Sequence, residues 1–141
     1  MILIAEDDEN DAITIAETLK AAGVKDQLRW AANGTEVIAY LKGELHYADR
    51  TRHPLPAVLL LDLRMPRIGG FEVLEWIKRA MPTRDILIVI LSGLSGLEDV
   101  RRGYELGARS FLSKPAGLHD INNLVRSYST YWQMDASVTP T

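Results

Sequence analysis

Ala57-Val58-Leu59-Leu60-Leu61-Asp62 is an unbroken apolar run that stops on a carboxylate. Val, Ile and Leu without polar alternation mark strands of a parallel sheet covered by helices on both faces. Three further runs end in the same way. Ile2-Leu3-Ile4-Ala5 leads into Glu6-Asp7-Asp8, Ile86-Leu87-Ile88-Val89-Ile90-Leu91 reaches Ser92, and Ser110-Phe111-Leu112-Ser113 reaches Lys114-Pro115. In open α/β sheets, ligands bind beyond the carboxyl ends of the strands. If these runs are parallel neighbours, carboxylates, a hydroxyl and an ammonium converge on one edge.

Between the strands the apolar spacing becomes helical. Ala12, Ile15, Ala16, Leu19 and Ala22 predict a helix over 10–22 that Gly23 stops. Leu28 and Trp30 alternate with polar neighbours, as on a half-exposed edge strand over 27–32. Asn33-Gly34 reads as a turn, followed by a helix over 35–42 with Val37, Ile38 and Leu41 inward. After Asp62, Met65-Pro66 and Gly69-Gly70 read as a loop, and 71–81 as an amphipathic helix closed by Pro82. The spacing then predicts a helix over 97–106, a strand over 109–112 and a last helix from about Leu118. That helix places Ile121, Leu124, Val125, Tyr128 and Trp132 on one face. Five alternations of strand and helix give an α/β, doubly wound, flavodoxin-like (βα)5 fold: a parallel sheet in the order 2-1-3-4-5 with helices on both faces.

A chain of 141 residues, 47% hydrophobic and 25% charged, fits one globular domain. Residues 1–134 are assigned to it, and 135–141 to a frayed tail. The net charge of -3 speaks against a nucleic-acid surface. No cysteine is present, so thiolate chemistry is excluded and a metal must be held by oxygen or nitrogen. No run approaches the roughly 20 apolar residues of a membrane span, and the expected location is the cytoplasm. The connection 43–56 is long and aperiodic, a surface insertion or else a partner-docking or dimer element. His46, His53 and His119 match no zinc spacing and read as surface residues, and Arg101-Arg102 as a solvated helix face.

Carboxylates gathered at one sheet edge suit Mg2+, which prefers oxygen ligands. Without a cation, Asp7 and Asp62 side by side would repel and one would hold its proton. A carboxylate is also a competent nucleophile, Lys114 supplies a point charge, and Ser92 supplies a hydroxyl donor. Each feature alone is ordinary: Asp8 or Asn10 would cap the first helix, and a lone Ser or Lys-Pro carries nothing. Their occurrence at four successive strand ends carries the weight.

With Glu6-Asp7, Asp62, Ser92 and Lys114-Pro115 placed, residues 2 to about 132 closely resemble the receiver domain of bacterial two-component response regulators. Leu61-Asp62-Leu63-Arg64-Met65-Pro66, followed by Gly69-Gly70, is similar to that family's phosphoacceptor segment. The resemblance implies phosphorylation of Asp62. It implies Mg2+ bound directly by Asp7, through water by Glu6, and by Asp62 and the backbone carbonyl of Arg64. Ser92 and Phe111 would be switch residues, and Lys114 would pair with the phosphate. Phosphorylation would draw Ser92 toward the phosphoryl oxygens, let Phe111 fill the space and alter the face made by the fourth helix, fifth strand and fifth helix. Phe111 on its own residues reads equally as a core aromatic.

The implied partner is a sensor histidine kinase or a phosphotransfer protein, with an unidentified downstream protein. The 43–56 loop, with Tyr47-Ala48-Asp49-Arg50, and Met65-Pro66-Arg67 resemble the stand-alone receivers that partner phytochrome-type kinases. Phe111 stands where tyrosine is commoner. Arg64 and Leu94 flank the site with unusual bulk, which is expected to restrict water and prolong the phosphorylated state. Tyr128, Tyr131, Trp132 and Met134 form an aromatic end that either covers the sheet flank or joins a homodimer; helical spacing places Trp132 in the core.

Rival readings are weaker. A Mg2+-dependent aspartyl phosphohydrolase carries a second Asp two residues after the nucleophile, where this chain has Arg64. No turnover on external substrates is therefore expected. A P-loop nucleotide binder is excluded by the missing Gly-x-x-x-x-Gly-Lys segment. A non-phosphorylated receiver that only binds proteins conflicts with the intact acid set.

Overall fold

The computed structural model describes residues 1–82, 85–93, 96–114 and 117–134, with the backbone alone at Leu118. Leu94, Pro115 and the proposed tail 135–141 lie outside the described residues. The chain runs β1 (Ile2–Ala5), α1 (Glu9–Ala21), β2 (Leu28–Ala31), α2 (Gly34–Lys42), β3 (Val58–Asp62), α3 (Gly70–Ala80), β4 (Leu87–Ser92), α4 (Leu97–Glu105), β5 (Ser110–Ser113) and α5 (Leu118–Ser127). Its five strands form one parallel sheet in the order β2-β1-β3-β4-β5. The expected flavodoxin-like order is the observed one.

Successive strand residues point to opposite faces, and each face has its own core. Ile2, Ile4, Val58, Leu60, Val89 and Leu91 pack with Ile15 and Leu19 of α1 and Ile121, Leu124 and Val125 of α5. Leu3, Ala5, Leu59, Leu61, Ile88 and Ile90 pack with Val37 and Leu41 of α2 and Val73, Leu74 and Ile77 of α3. Burial on both faces explains why β1, β3 and β4 carry no polar alternation. β2 lies on the edge, and its Trp30 is 46% exposed. α4 sits close to the sheet because Gly103 has no side chain: a Cβ there would lie 2.5 Å from Ile90 Cδ1 and 2.9 Å from Phe111 Cε2.

Asp8, rather than Asn10, caps α1, accepting from Asn10 N at 2.8 Å and Asp11 N at 3.2 Å, a contact of about 0.5–2 kcal/mol. Asn33 caps α2 in the same way through Glu36 N, so the Asn33-Gly34 pair opens a helix instead of making a free turn.

The connection 43–56 is tied down. It holds a short 3-10 turn at Leu45–Tyr47, entered through Leu45 at a left-handed φ of 52°. Arg50 Nη1 donates to the carbonyls of Tyr40 and His53, and its Nη2 to that of Leu41, so one guanidinium fastens the loop to the end of α2. Arg29 of β2 reaches across to the Arg52 carbonyl and the His53 ring. His53 is therefore half-buried among Tyr40, Tyr47 and His46, not a plain surface residue. Arg102 also departs from a purely solvated role, pairing with Glu75 at 2.9 Å and lying over the Phe71 ring.

The last helix is shorter than its spacing predicts. It ends at Ser127, a 3-10 turn covers Ser129–Tyr131, and Trp132 is extended. Bonds outside the helix compete for this segment: Tyr128 Oη donates to the Arg109 carbonyl, Tyr131 Oη to Asp85, Gln133 N to Asp26, and Lys25 N to the Gln133 carbonyl. Trp132 still reaches the core, 6% exposed, from a strap rather than a helix face.

Candidate functional site

The carboxyl ends of β1, β3 and β5 meet at one pocket lined by Glu6, Asp7, Asp8, Asp11, Asp62, Arg64, Gly93 and Lys114. Three of these acids, Glu6, Asp7 and Asp62, bring carboxylate oxygens within 4.8 Å of one another. Glu6 and Asp62 are buried and Asp7 is exposed. Parallel pairing of β1 with β3 dictates this, because both chains leave the sheet at the same edge.

Lys114 follows β5 and reaches back over the edge. Its Nζ donates to Glu6 Oε2 at 2.6 Å, Asp62 Oδ2 at 3.2 Å and Asp11 Oδ2 at 3.3 Å. Its backbone N–H donates to the Ser92 carbonyl at 2.9 Å, holding β5 against the end of β4. The Arg64 N–H donates to Asp62 Oδ1 at 3.1 Å, so both Asp62 oxygens accept a bond. Glu6 Oε1 accepts from Asp8 N at 3.2 Å, and the Glu6 carbonyl accepts from the Trp30 indole at 2.6 Å.

Burial drives Glu6. Desolvation raises its carboxyl to about 7 despite the Lys114 hydrogen bond, with the Asp62 charge adding to the rise. Burial also pulls on the Lys114 ammonium, but the Glu6 bond and the Asp62 charge outweigh it and hold the group above the ordinary lysine value. Such an excess of carboxylate is what a divalent cation relieves. An all-oxygen set with one fully buried acid fits a hard cation of the Mg2+ type.

Ser92 is buried at the end of β4. Phe111 lies on β5 beside Ile90, with its ring against α4 at Gly103 and 5.8 Å from the Tyr104 ring. Glu6, Asp7, Asp62, Arg64 and Lys114 thus share one pocket, while Phe111 sits apart from it under α4. Asp11 and Trp30 escaped the sequence reading. Asp11 lies in the first turn of α1 at the same sheet edge and carried no signal of its own. Trp30 had no signal beyond its place on an edge strand. Among the described residues, His46, His53 and His119 join no metal-binding group. No helix of the described residues is long and apolar enough to cross a membrane.

A doubly wound parallel sheet with an acidic pocket and a lysine at its carboxyl edge defines a signalling receiver. The chain belongs to the response regulator receiver domain family, which it matches over residues 2–126. It is similar to response regulator RPA3017, of red light signalling in R. palustris: 31% identity, TM-score 0.79, covering 99% of this chain and 98% of that one. The phosphorylated cyanobacterial phytochrome response regulator RcpA shares 30% identity at a TM-score of 0.76, with 98% and 95% covered. Response regulator Rcp1 of Synechocystis, solved in a Mn2+-bound form, shares 30% identity at a TM-score of 0.75, with 99% and 97% covered. The chain is thus similar, nearly end to end, to stand-alone response regulators of the phytochrome group. Receivers of this family serve phosphorelay signalling, accept phosphoryl groups from histidine kinases, hold a divalent cation in an acidic pocket and are generally not enzymes on external substrates.

Proposed function

We propose that residues 1–134 form a receiver that takes a phosphoryl group onto Asp62 from a sensor histidine kinase, of the phytochrome type or a phosphotransfer protein serving one. Lys114 carries the reading: one ammonium from β5 bonds both the buried Asp62 and the buried Glu6 at the sheet edge. In the transfer, an Asp62 carboxylate oxygen forms the new bond to phosphorus. The bond from phosphorus to the donor imidazole nitrogen breaks, and that nitrogen keeps the electron pair. Lys114 neutralises charge on the transferred group, and the Arg64 N–H orients the Asp62 carboxylate. Glu6, Asp7, Asp62 and the Arg64 carbonyl would hold Mg2+, which offsets the negative charge spread over the phosphoryl oxygens when bound.

The product carries about -1.5 to -2 charge and strong acceptor oxygens. Ser92 moves toward them and Phe111 toward the space released, biasing the face of α4, β5 and α5 between two packings. That face is the site for a downstream protein or a second copy of the chain. Arg64, exposed at the pocket mouth, restricts water and lengthens the life of the phosphorylated form.

Intact-mass measurement after incubation with Mg2+ and acetyl phosphate tests the assignment. One phosphoryl adduct is expected on the protein, and none on Asp62→Asn. An adduct that survives this substitution refutes the assignment.

A further inference from the structure

Lys114 has a third carboxylate partner that the reading above leaves unused. A lysine ammonium has three N–H donors and no acceptor. Here Glu6, Asp62 and Asp11 take all three, at 2.6, 3.2 and 3.3 Å. A phosphoryl oxygen arriving at Asp62 must therefore displace one of them to gain a bond from Lys114.

Distance and burial choose which. Glu6 is the shortest contact, and its side chain is 0% exposed, so no water can replace the ammonium there. Asp62 loses its own charge when the bond to phosphorus forms and hands its donor to the phosphoryl group, so only the remaining two contacts compete for a second bond. Asp11 is the longest contact, and its side chain is 50% exposed, so water takes over its oxygen at little cost. The Asp11 backbone is fixed, because its N–H is bound by the Asp8 cap at the start of α1. Its carboxylate therefore stays within reach of Lys114 and goes on competing for the ammonium.

We propose that Asp11 is a positioning residue: an exchangeable counter-ion that holds one Lys114 donor at rest and competes with the phosphoryl group for it. This rests on Asp62 being the phosphoacceptor. Asp11 weakens the phosphorylated state and so sets how readily the site fills, acting through Lys114 without touching the transferred group.

Beryllofluoride, which mimics a phosphoryl group on a carboxylate, is titrated at saturating Mg2+ by calorimetry. Wild-type binding is the control for the underlying reading; its failure removes that reading and this one together. Given wild-type binding, Asp11→Ala is expected to bind roughly two- to five-fold tighter, the size of one exposed ion pair. Asp11→Glu should stay near wild type, because the charge and the reach to Lys114 are kept. The gain should shrink between about 0.05 and 0.5 M salt as the screening length falls from about 14 Å to about 4 Å. In a Lys114→Gln background, Asp11→Ala should give no gain. Unchanged or weaker binding by Asp11→Ala overturns the inference, and so does a gain that persists without Lys114. A melting curve for Asp11→Ala completes the test: a merely structural residue would move stability and leave the salt-dependent affinity alone.

Discussion

Gly70→Ala tests how tightly the helix after β3 is seated on the strand that carries Asp62. Gly70 is the first residue of α3 and is buried. A Cβ there would lie 2.7 Å from the Asp62 carbonyl oxygen, 2.7 Å from Leu63 Cα and 3.2 Å from Leu63 Cδ2. The first two are backbone atoms and cannot rotate away. Ordinary contact begins at 3.4 Å, so α3 or the end of β3 must retreat by about 0.7 Å. Overpacking of this kind costs about 1–3 kcal/mol. Replacing a flexible glycine returns about 0.4–1 kcal/mol. The net loss is therefore about 1–2 kcal/mol, a fall of roughly 3–8 °C in melting temperature for a chain of this size. Because the strained atoms are the backbone of Asp62 and Leu63, phosphorylation by acetyl phosphate should slow in the same protein. Gly69→Ala is the control. Its Cβ would sit 3.5 Å from the Leu63 carbonyl, an ordinary contact, so only a weaker helix cap is expected and the phosphorylation rate should hold. A Gly70→Ala protein that melts within about 1 °C of wild type and is phosphorylated normally would refute this picture of the seat.

Other expectations concern charge and the long loop. In chelator, folded Glu6 keeps its proton up to about 7, while the unfolded carboxyl loses it near 4.5. The native state therefore binds more protons in that window, and stability should fall as pH rises through it, by up to about 3 kcal/mol. Denaturant titrations of wild type and Glu6→Gln at several pH values check this, since the slope should flatten in the variant. Mg2+ should raise the unfolding free energy by mass action, by about 2.7 kcal/mol at a hundredfold excess over its dissociation constant. Asp7→Asn should abolish that rise without lowering metal-free stability, because it removes an exposed charge facing two buried acids. Arg50→Ala should cost about 1.5–3 kcal/mol by removing the donor to the Leu41 and His53 carbonyls and one of the two donors to that of Tyr40, and should speed hydrogen exchange and proteolysis across 43–56.

Much of this architecture was legible because burial on both faces leaves a plain signature. β1, β3 and β4 read as continuous apolar runs, and the residues at or just past their ends, Glu6-Asp7, Asp62 and Gly93, line the pocket. β5 was legible through its ending, Ser113-Lys114. The long-range contacts were not. Arg50 on the end of α2 gives no periodic signal, so a clamped loop read as an irregular insertion. α5 kept its helical spacing through Trp132, yet Tyr128, Tyr131 and Gln133 found hydrogen bonds elsewhere and straightened the chain after Ser127. Asp11 looked like any polar residue on a helix, because its role appears only when β5 brings Lys114 beside it.

The contact between Lys114 and Glu6 joins positions 108 residues apart. Closing it requires β1 and β5 to reach the same sheet, and parallel pairing over such separations is slow to form. A chain still emerging from the ribosome, or one halted partway to the native state, holds acids at its edge without their balancing cation. The charge balance of the pocket thus depends on both termini of the sheet-forming segment being in place, so it reports whether the sheet is whole.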